Sequence, residues 1–352
     1  MNRKSYGIYL IWGLLTLTLL FNQIAAKTVK FSRKPRFQFE IKTLYDNNIF
    51  LYSEAYISDF KNQIRPYRFP FNTYDDFIVL LNPSIQLPLR IGQLKPNLYL
   101  NYKQYIYSVN AEKSYQIVSA TINHPIINPI ILEINYLLLP RYLIRYYRNP
   151  LGASTDYIGC SFSERLLTAR LIYNIYNIKI KPFVRYEIDN YKENFVFYNS
   201  KALRFGVNAT LTPYKFINVN VGLERKQNNA QGPVPDISDN ENSTFIDIIT
   251  KIPGFSKLSF NIGADYAHRI YTTSNSFNID PYHKDRKDNK FVIYAGLTFR
   301  ISKNLQIKTQ YEQEIRKVTT PYQIDIEEIK DYSNKRFTLG FKFYPNIVFE
   351  GD

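Results

Sequence analysis

The residues able to do chemistry in this chain are charges set at strand spacing. Lys179, Lys181, Arg185 and Glu187 stand two or four positions apart; Arg204, Asp265 and Arg300 each sit between apolar neighbours, and Glu224, Arg269, Lys308 and Glu312 each have one. In an extended chain, side chains two positions apart point the same way, so these charges share a face. A face of that kind concentrates and steers counter-ions. It does not supply a nucleophile with its base. His124 is expected in a turn, His268 on the apolar phase and His283 in a loop, and no Ser-His-acid spacing or metal-ligand cluster stands out. No enzymatic activity, metal or cofactor is therefore expected. Lys and Arg outnumber Asp and Glu by 45 to 30 but are spread over the whole chain. Nucleic-acid binding would gather them in one module.

The elements that carry these charges show best between Phe291 and Glu312. Phe291, Ile293, Ala295, Leu297, Phe299 and Ile301 are apolar, with Tyr294, Gly296, Thr298 and Arg300 between them. After Ser302-Lys303-Asn304 the period returns, with Leu305, Ile307, Thr309 and Tyr311 opposite Gln306, Lys308, Gln310 and Glu312. Two such runs a tight turn apart make an antiparallel hairpin. The pattern recurs from Phe37 to Phe343 without a linker, which gives fourteen strands, with twelve or sixteen as the alternative counts. The first covers 36–45. The second starts at Asp76 and contains Pro83 and Pro88, where a bulge or an irregular end is expected. His124 to Pro129 is read as a turn, and Lys226 to Asn242, rich in Asn, Asp, Gly and Pro, as a loop. No amphipathic helical run stands out.

The connections alternate. Those after every second strand are short, and those between are mostly long and polar. This regularity, with an even strand number, fits a barrel with short periplasmic turns and long extracellular loops. An apolar face repeated over this many strands is too large to leave in water, and a sheet in hydrocarbon must have no free edge. The fold class expected is all-β, a single antiparallel transmembrane β-barrel, with outer-membrane lipid against its outer face. Arg3 and Lys4 precede an apolar run from Ile8 to Phe21, followed by Ile24-Ala25-Ala26. Residues 1–26 read as a secretory signal peptide and 27–352 as the barrel. Without the first segment the net charge falls from +15 to +13. The lone Cys160 excludes an internal disulfide framework.

At Tyr45-Asp46-Asn47-Asn48-Ile49-Phe50, and again from Tyr74-Asp75-Asp76 to Asn82-Pro83-Ser84, the sequence resembles a group of outer-membrane β-barrel porins of Gram-negative bacteria. In that group the first strand ends in a Tyr-Asp-x-Asn-apolar-Phe motif, here Tyr45, Asp46, Asn48 and Phe50. The resemblance covers the first quarter of the chain and implies passage of solutes across the cell outer membrane. Leu51 stands where a basic residue often follows the Phe, and the chain continues past Phe343 and Tyr344 to Asp352. Barrels of this kind commonly finish on an aromatic residue read by the barrel-assembly machinery, which is an expected partner in biogenesis.

If the apolar faces meet lipid, Lys179, Lys181, Arg185, Arg204, Arg269, Arg300 and Lys308 line the lumen, partnered in part by Glu187, Glu224, Asp265 and Glu312. The basic excess would favour small or oligomeric anionic solutes, saccharides among them. The leading expectation is a porin-like channel. The alternative is a structural or adhesive barrel whose charges pair across a filled lumen and whose outer loops bind a partner.

Overall fold

The computed structural model describes residues 29–345 apart from 256 and 323, so the expected signal peptide lies outside the described residues. Fifteen strands form one sheet. They are β1 (Val29–Phe31), β2 (Arg36–Asp46), β3 (Asp76–Ile91), β4 (Asn97–Tyr107), β5 (Tyr115–Ile127), β6 (Ile130–Arg148) and β7 (Tyr157–Ile175). After these come β8 (Ile178–Tyr191), β9 (Ser200–Tyr214), β10 (Ile217–Ala230) and β11 (Asp239–Lys251), then β12 (Leu258–Tyr271), β13 (Lys287–Arg300), β14 (Leu305–Thr319) and β15 (Tyr332–Phe343). Each strand from β2 to β15 pairs antiparallel with the next, and β15 pairs with β2 from Phe343↔Phe39 to Arg336↔Asp46. The last pairing closes a fourteen-stranded barrel. All fourteen strands expected from the alternation are present.

The fifteenth strand, β1, is a short extension of β2 along β3. Phe31 faces Leu89 and Arg36 faces Gln86, so four residues of one chain oppose Leu87 and Pro88 of the other. The irregularity expected at Pro88 thus falls on the neighbouring strand. At Pro83 no bulge forms. The register to β2 and β4 is unchanged on either side of it, and the β4 ladder skips Asn82 and Pro83.

The two faces are inverted relative to a water-soluble protein. On β9 the apolar Leu203 and Phe205 are 43% and 45% exposed, whereas Glu187 on the opposite phase of β8 is 4% exposed. Phe39, Ile41, Ile246, Ile262, Ile293, Leu297, Phe337 and Phe341 are likewise exposed around the barrel. Among the described residues no helix is long and apolar enough to cross a membrane. Strands of eleven to nineteen residues, as β2 to β15 are, meet or exceed the 9 to 11 or so that a tilted strand needs to do it.

At one end the connections are turns of two to six residues; at the other they run from seven residues (108–114) to twenty-nine (47–75). Several sequence boundaries change. β5 continues to Ile127, so His124 lies on a strand, and the turn is only Asn128 and Pro129. Lys226–Ala230 and Asp239–Asn242 belong to β10 and β11, leaving 231–238 as the loop. Their Asn, Asp and Gln residues form strand because each has a paired partner, as in Lys226↔Glu241 and Asn228↔Asp239. The segment 47–75 also contains a helix, Glu54–Lys61, capped by Ser53, whose hydroxyl accepts from the Tyr56 backbone N–H at 3.2 Å.

Candidate functional site

The inward phase of the wall divides into two levels. Nearer the short turns it carries Asn101, Asn135, Asn208, Thr210 and Asn220 beside lysines. Here Lys181 Nζ donates to Thr210 Oγ1 at 3.3 Å, and Asn135 donates to Thr121 Oγ1 at 2.7 Å. Two glycines keep aromatic rings flat against this wall. A Cβ on Gly222 would meet the Phe245 ring at 2.2 Å, and one on Gly263 the Tyr294 ring at 2.4 Å. Each ring lies over its cross-strand glycine instead of projecting into the lumen.

Higher on the wall the charges pair across strands. Arg204 bonds Glu187, Glu224 at 2.5 Å and Glu241 at 3.4 Å. Lys226 meets Glu187 at 3.5 Å, and Arg269 meets Glu241 at 2.6 Å and Asp239 at 3.6 Å. This ladder spans β8 to β12. A second unites β14, β15 and β2, where Arg336 reaches Asp46 at 3.1 Å, Glu312 at 2.6 Å and Glu314 at 3.3 Å. Side-chain pairs on neighbouring strands lock register, so these networks fix the wall as well as charge it.

The structure places every basic and acidic candidate from the sequence on the inward phase but does not bring them together as one site. Arg204 and Arg269 are committed to carboxylates, as are Glu187, Glu224 and Glu312 to cations. Arg185 donates to Thr168 Oγ1 at 3.1 Å. Among the described residues Lys179, Lys181, Arg300, Lys308 and Asp265 form no ion pair within 4.0 Å. Lys179 and Arg300 are exposed near the short turns, and Lys308 is half-buried on β14. His268 faces outward with its Nδ1 2.8 Å from Asn289 Oδ1, as its phase implied. Sequence reading passed over Lys226, Asp239 and Glu241 because they fall in the segment taken for a loop. Strand period continued through Lys226, Asn228 and Ala230 was the available signal.

The motif at the end of β2 launches segment 47–75 as a folded unit. Asp46 Oδ1 accepts from the Asn48 backbone N–H at 2.9 Å. The Asn48 side chain donates to the Tyr52 and Ser333 carbonyls at 2.8 and 3.1 Å and accepts from the Tyr52 backbone N–H at 2.8 Å. Tyr45 Oη donates to Asp75 at 2.8 Å, tying the two ends of the segment. Phe50 is 1% exposed, with ring centroids 4.4 Å from Phe71 and 5.9 Å from Tyr146. Ile49, Tyr52, Phe69, Ile78, Tyr107 and Leu143 complete a buried apolar cluster with Phe50 and Tyr146. In a barrel whose wall turns its apolar side chains outward, this interior core sits at the long-loop end.

The other long loops join it. Asn110 on 108–114 donates to Thr73 at 3.0 Å, and Asn194 to Asn149 at 3.1 Å. The Gln231 N–H donates to the Asn199 carbonyl at 2.7 Å, and the Asp236 N–H to Asp280 at 2.8 Å. Phe277 stacks on Tyr322 at 4.3 Å, and Tyr322 Oη donates to Asp285 at 2.7 Å. Lys330 and Phe195, from loops on different sides of the barrel, both approach the Tyr147 ring of β6, at 5.6 and 6.2 Å. The seven long connections thus hold one another as a roof over this end. Beneath it Lys113 is buried, donating to the Leu143 and Ile144 carbonyls at 2.5 and 3.0 Å, with its ammonium 5.1 Å from the Phe50 ring.

No protein-family model matches the chain, and no curated protein sequence matches it. Solved structures similar to it are outer-membrane proteins. A loop L8 deletion mutant of OmpT, an outer membrane protein of Vibrio cholerae, shares 9% identity over 89% of this chain and 99% of that one, with a TM-score of 0.49. The outer membrane protein OpdK of Pseudomonas aeruginosa shares 10% identity over 89% and 99%, at 0.41. An anion-selective porin of Comamonas acidovorans shares 9% over 90% and 100%, at 0.42. Among the described residues there is no grouping of three or more His, Cys, Asp or Glu that could hold a metal ion.

Proposed function

We propose that this protein is an outer-membrane channel that passes small polar solutes, with a preference for anions, and whose long-loop end is its extracellular face. The observation that carries the reading is the inversion of the wall. A closed barrel with Leu203, Phe205, Ile246, Ile293 and Phe341 exposed outside, and charged ladders inside, is stable where hydrocarbon surrounds it and water fills it. A transmembrane sheet satisfies every backbone group only by closing, and the β15–β2 pairing closes this one.

Selectivity follows from which charges the ladders leave over. Of the acids, Glu187, Glu224, Glu241, Glu312 and Glu314 are bound by Arg204, Arg269 and Arg336. Among the described residues Glu164, Asp189, Asp247 and Asp265 form no ion pair, against Lys179, Lys181, Arg185, Arg300 and Lys308, which face the lumen without one. Lys42 offers a further cation, shared with Glu40 at 3.2 Å. A lumen with surplus positive charge raises the local concentration of anions and speeds their entry. Anionic saccharides fit the Asn, Thr and Gln donors beside these lysines.

One observation favours a second reading, a barrel that binds a surface partner and conducts little: the interlocked roof. Planar-bilayer recording separates the two. Conductance steps, with a reversal potential showing anions to be the more permeant, support the channel. A silent full-length protein that stays silent when Phe50 is replaced by Ala supports the binding barrel.

A further inference from the structure

We propose that the roof contains a binding site for a small free anion of the phosphate or carboxylate class, formed by Arg145, Lys330 and Arg316. The inference depends on the geometry of the loops and holds whether or not the barrel conducts.

Cations from separate elements converge here. Arg145 on β6 is 6% exposed, and its guanidinium lies 5.9 Å from the Tyr147 ring centre, while the Lys330 ammonium lies 5.6 Å from that same ring. Arg316 on β14 donates through Nε and Nη2 to the Lys330 carbonyl, at 3.0 and 2.7 Å, which sets it beside that residue. Like charges repel strongly where water is scarce, and the carboxylate that offsets Lys330 and Arg316 is Asp288. It is already held by both forks of Arg286, at 2.6 Å each.

An independent observation points to a missing partner. Arg145 Nη2 donates to the Leu51 carbonyl at 3.0 Å, but the buried Arg145 Nε has no hydrogen-bond partner among the described residues. A buried N–H left unmade costs about 1 to 3 kcal/mol, more on a charged group. Lys330, a half-buried side chain, makes no side-chain hydrogen bond among the described residues. Burial and the positive charges of Arg145, Arg286 and Arg316 hold the Lys330 ammonium well below its ordinary value. A tetrahedral or planar oxyanion would supply acceptors to Arg145 Nε and Lys330 Nζ together and remove the repulsion, the pairing for which guanidinium and ammonium groups are suited. Arg145 is buried between the rings of Tyr52 and Tyr147, at 5.2 and 5.9 Å, which suits a small free anion better than a lipid headgroup.

The test is calorimetric titration of the full-length protein in neutral detergent with inorganic phosphate, alongside thermal unfolding. The expected result is saturable binding of one phosphate per chain, a raised unfolding midpoint, and at least a tenfold weaker affinity in Lys330→Gln, while Lys201→Gln on the outer face leaves binding unchanged. If Arg145→Gln fails to fold, Arg145→Lys, which keeps the charge but loses the fork, should weaken binding while remaining folded. Equal affinity in Lys330→Gln and the unaltered protein, no saturable response, or a response only to vesicles of anionic lipid would overturn the proposal.

Discussion

The two ends of this barrel are built from the same strands but by opposite rules. Toward the short turns, small polar residues and lysines without ion pairs line a wall whose aromatic rings lie flat against glycines. Toward the long loops, the inner space holds an apolar core around Phe50 and the carboxylate ladders gathered by Arg204 and Arg336. In the proposed channel the wall would discriminate among solutes by charge, and the roof would govern whether they arrive.

The largest effect is expected where the wall's charge ladder is cut. Arg204→Leu leaves Glu187, Glu224 and Glu241 facing one another with only Lys226 and Arg269 to offset them. Removing one partner of a buried network of this kind costs about 3 to 5 kcal/mol, here borne by the whole wall, so the urea midpoint for unfolding in lipid vesicles should drop clearly. An unchanged midpoint would show that water in the lumen screens the ladder and that the two ends differ less than described.

Next comes the roof itself. Phe50→Ala removes the centre of its core. A buried Phe→Ala change costs about 3 to 5 kcal/mol, here borne by the loops and not by the wall. Strand content by circular dichroism should hold while protease cuts 47–75 faster and open-channel conductance rises. If instead the whole barrel unfolds, roof and wall are one cooperative unit.

How much of this was legible in the sequence also divides by region. The wall was readable because lipid outside and water inside impose a strict two-residue period, and Phe291 to Glu312 shows it without interruption. The three residues of β1 were too few to carry a period, and Ser32 to Pro35 separates them from β2. The strand ends Lys226–Ala230 and Asp239–Asn242 read as loop since, clear of lipid, nothing requires their outward phase to be apolar. The roof was not legible. Lys113, Arg145 and Lys330 belong to segments distant in sequence, and nothing local to any of them announces that they meet at Phe50 or Tyr147. The β2 motif announced only that something ordered begins there; Asp46 and Asn48 begin it.

A smaller effect sharpens the electrostatic side. Lys308→Glu reverses a lumen cation and, with the ladders intact, should move the zero-current potential in a salt gradient toward cation preference without changing stability. No shift would mean that Lys308 does not face the conducting path.

The smallest effect concerns pH. The Lys113 ammonium is pushed down from 10.5 to about 7 by burial, with Asp46 opposing and Arg145 assisting. Because the folded roof binds this proton less tightly than the unfolded chain does, its stability rises with pH between about 7 and 10.5 and is insensitive to Lys113 below that window. Hydrogen exchange in 47–75 should slow, after correction for intrinsic rates, as pH rises from 7 to 9, and Lys113→Met should flatten the dependence.

The central claim is that a water-filled, positively biased lumen crosses the outer membrane beneath this roof. Reversal potential measured across a planar bilayer in a tenfold KCl gradient, on the full-length protein and on Phe50→Ala, tests it most directly. Discrete conductance with chloride more permeant than potassium, larger in Phe50→Ala, is the predicted result. Potassium preference, or no conductance from either protein, would contradict it.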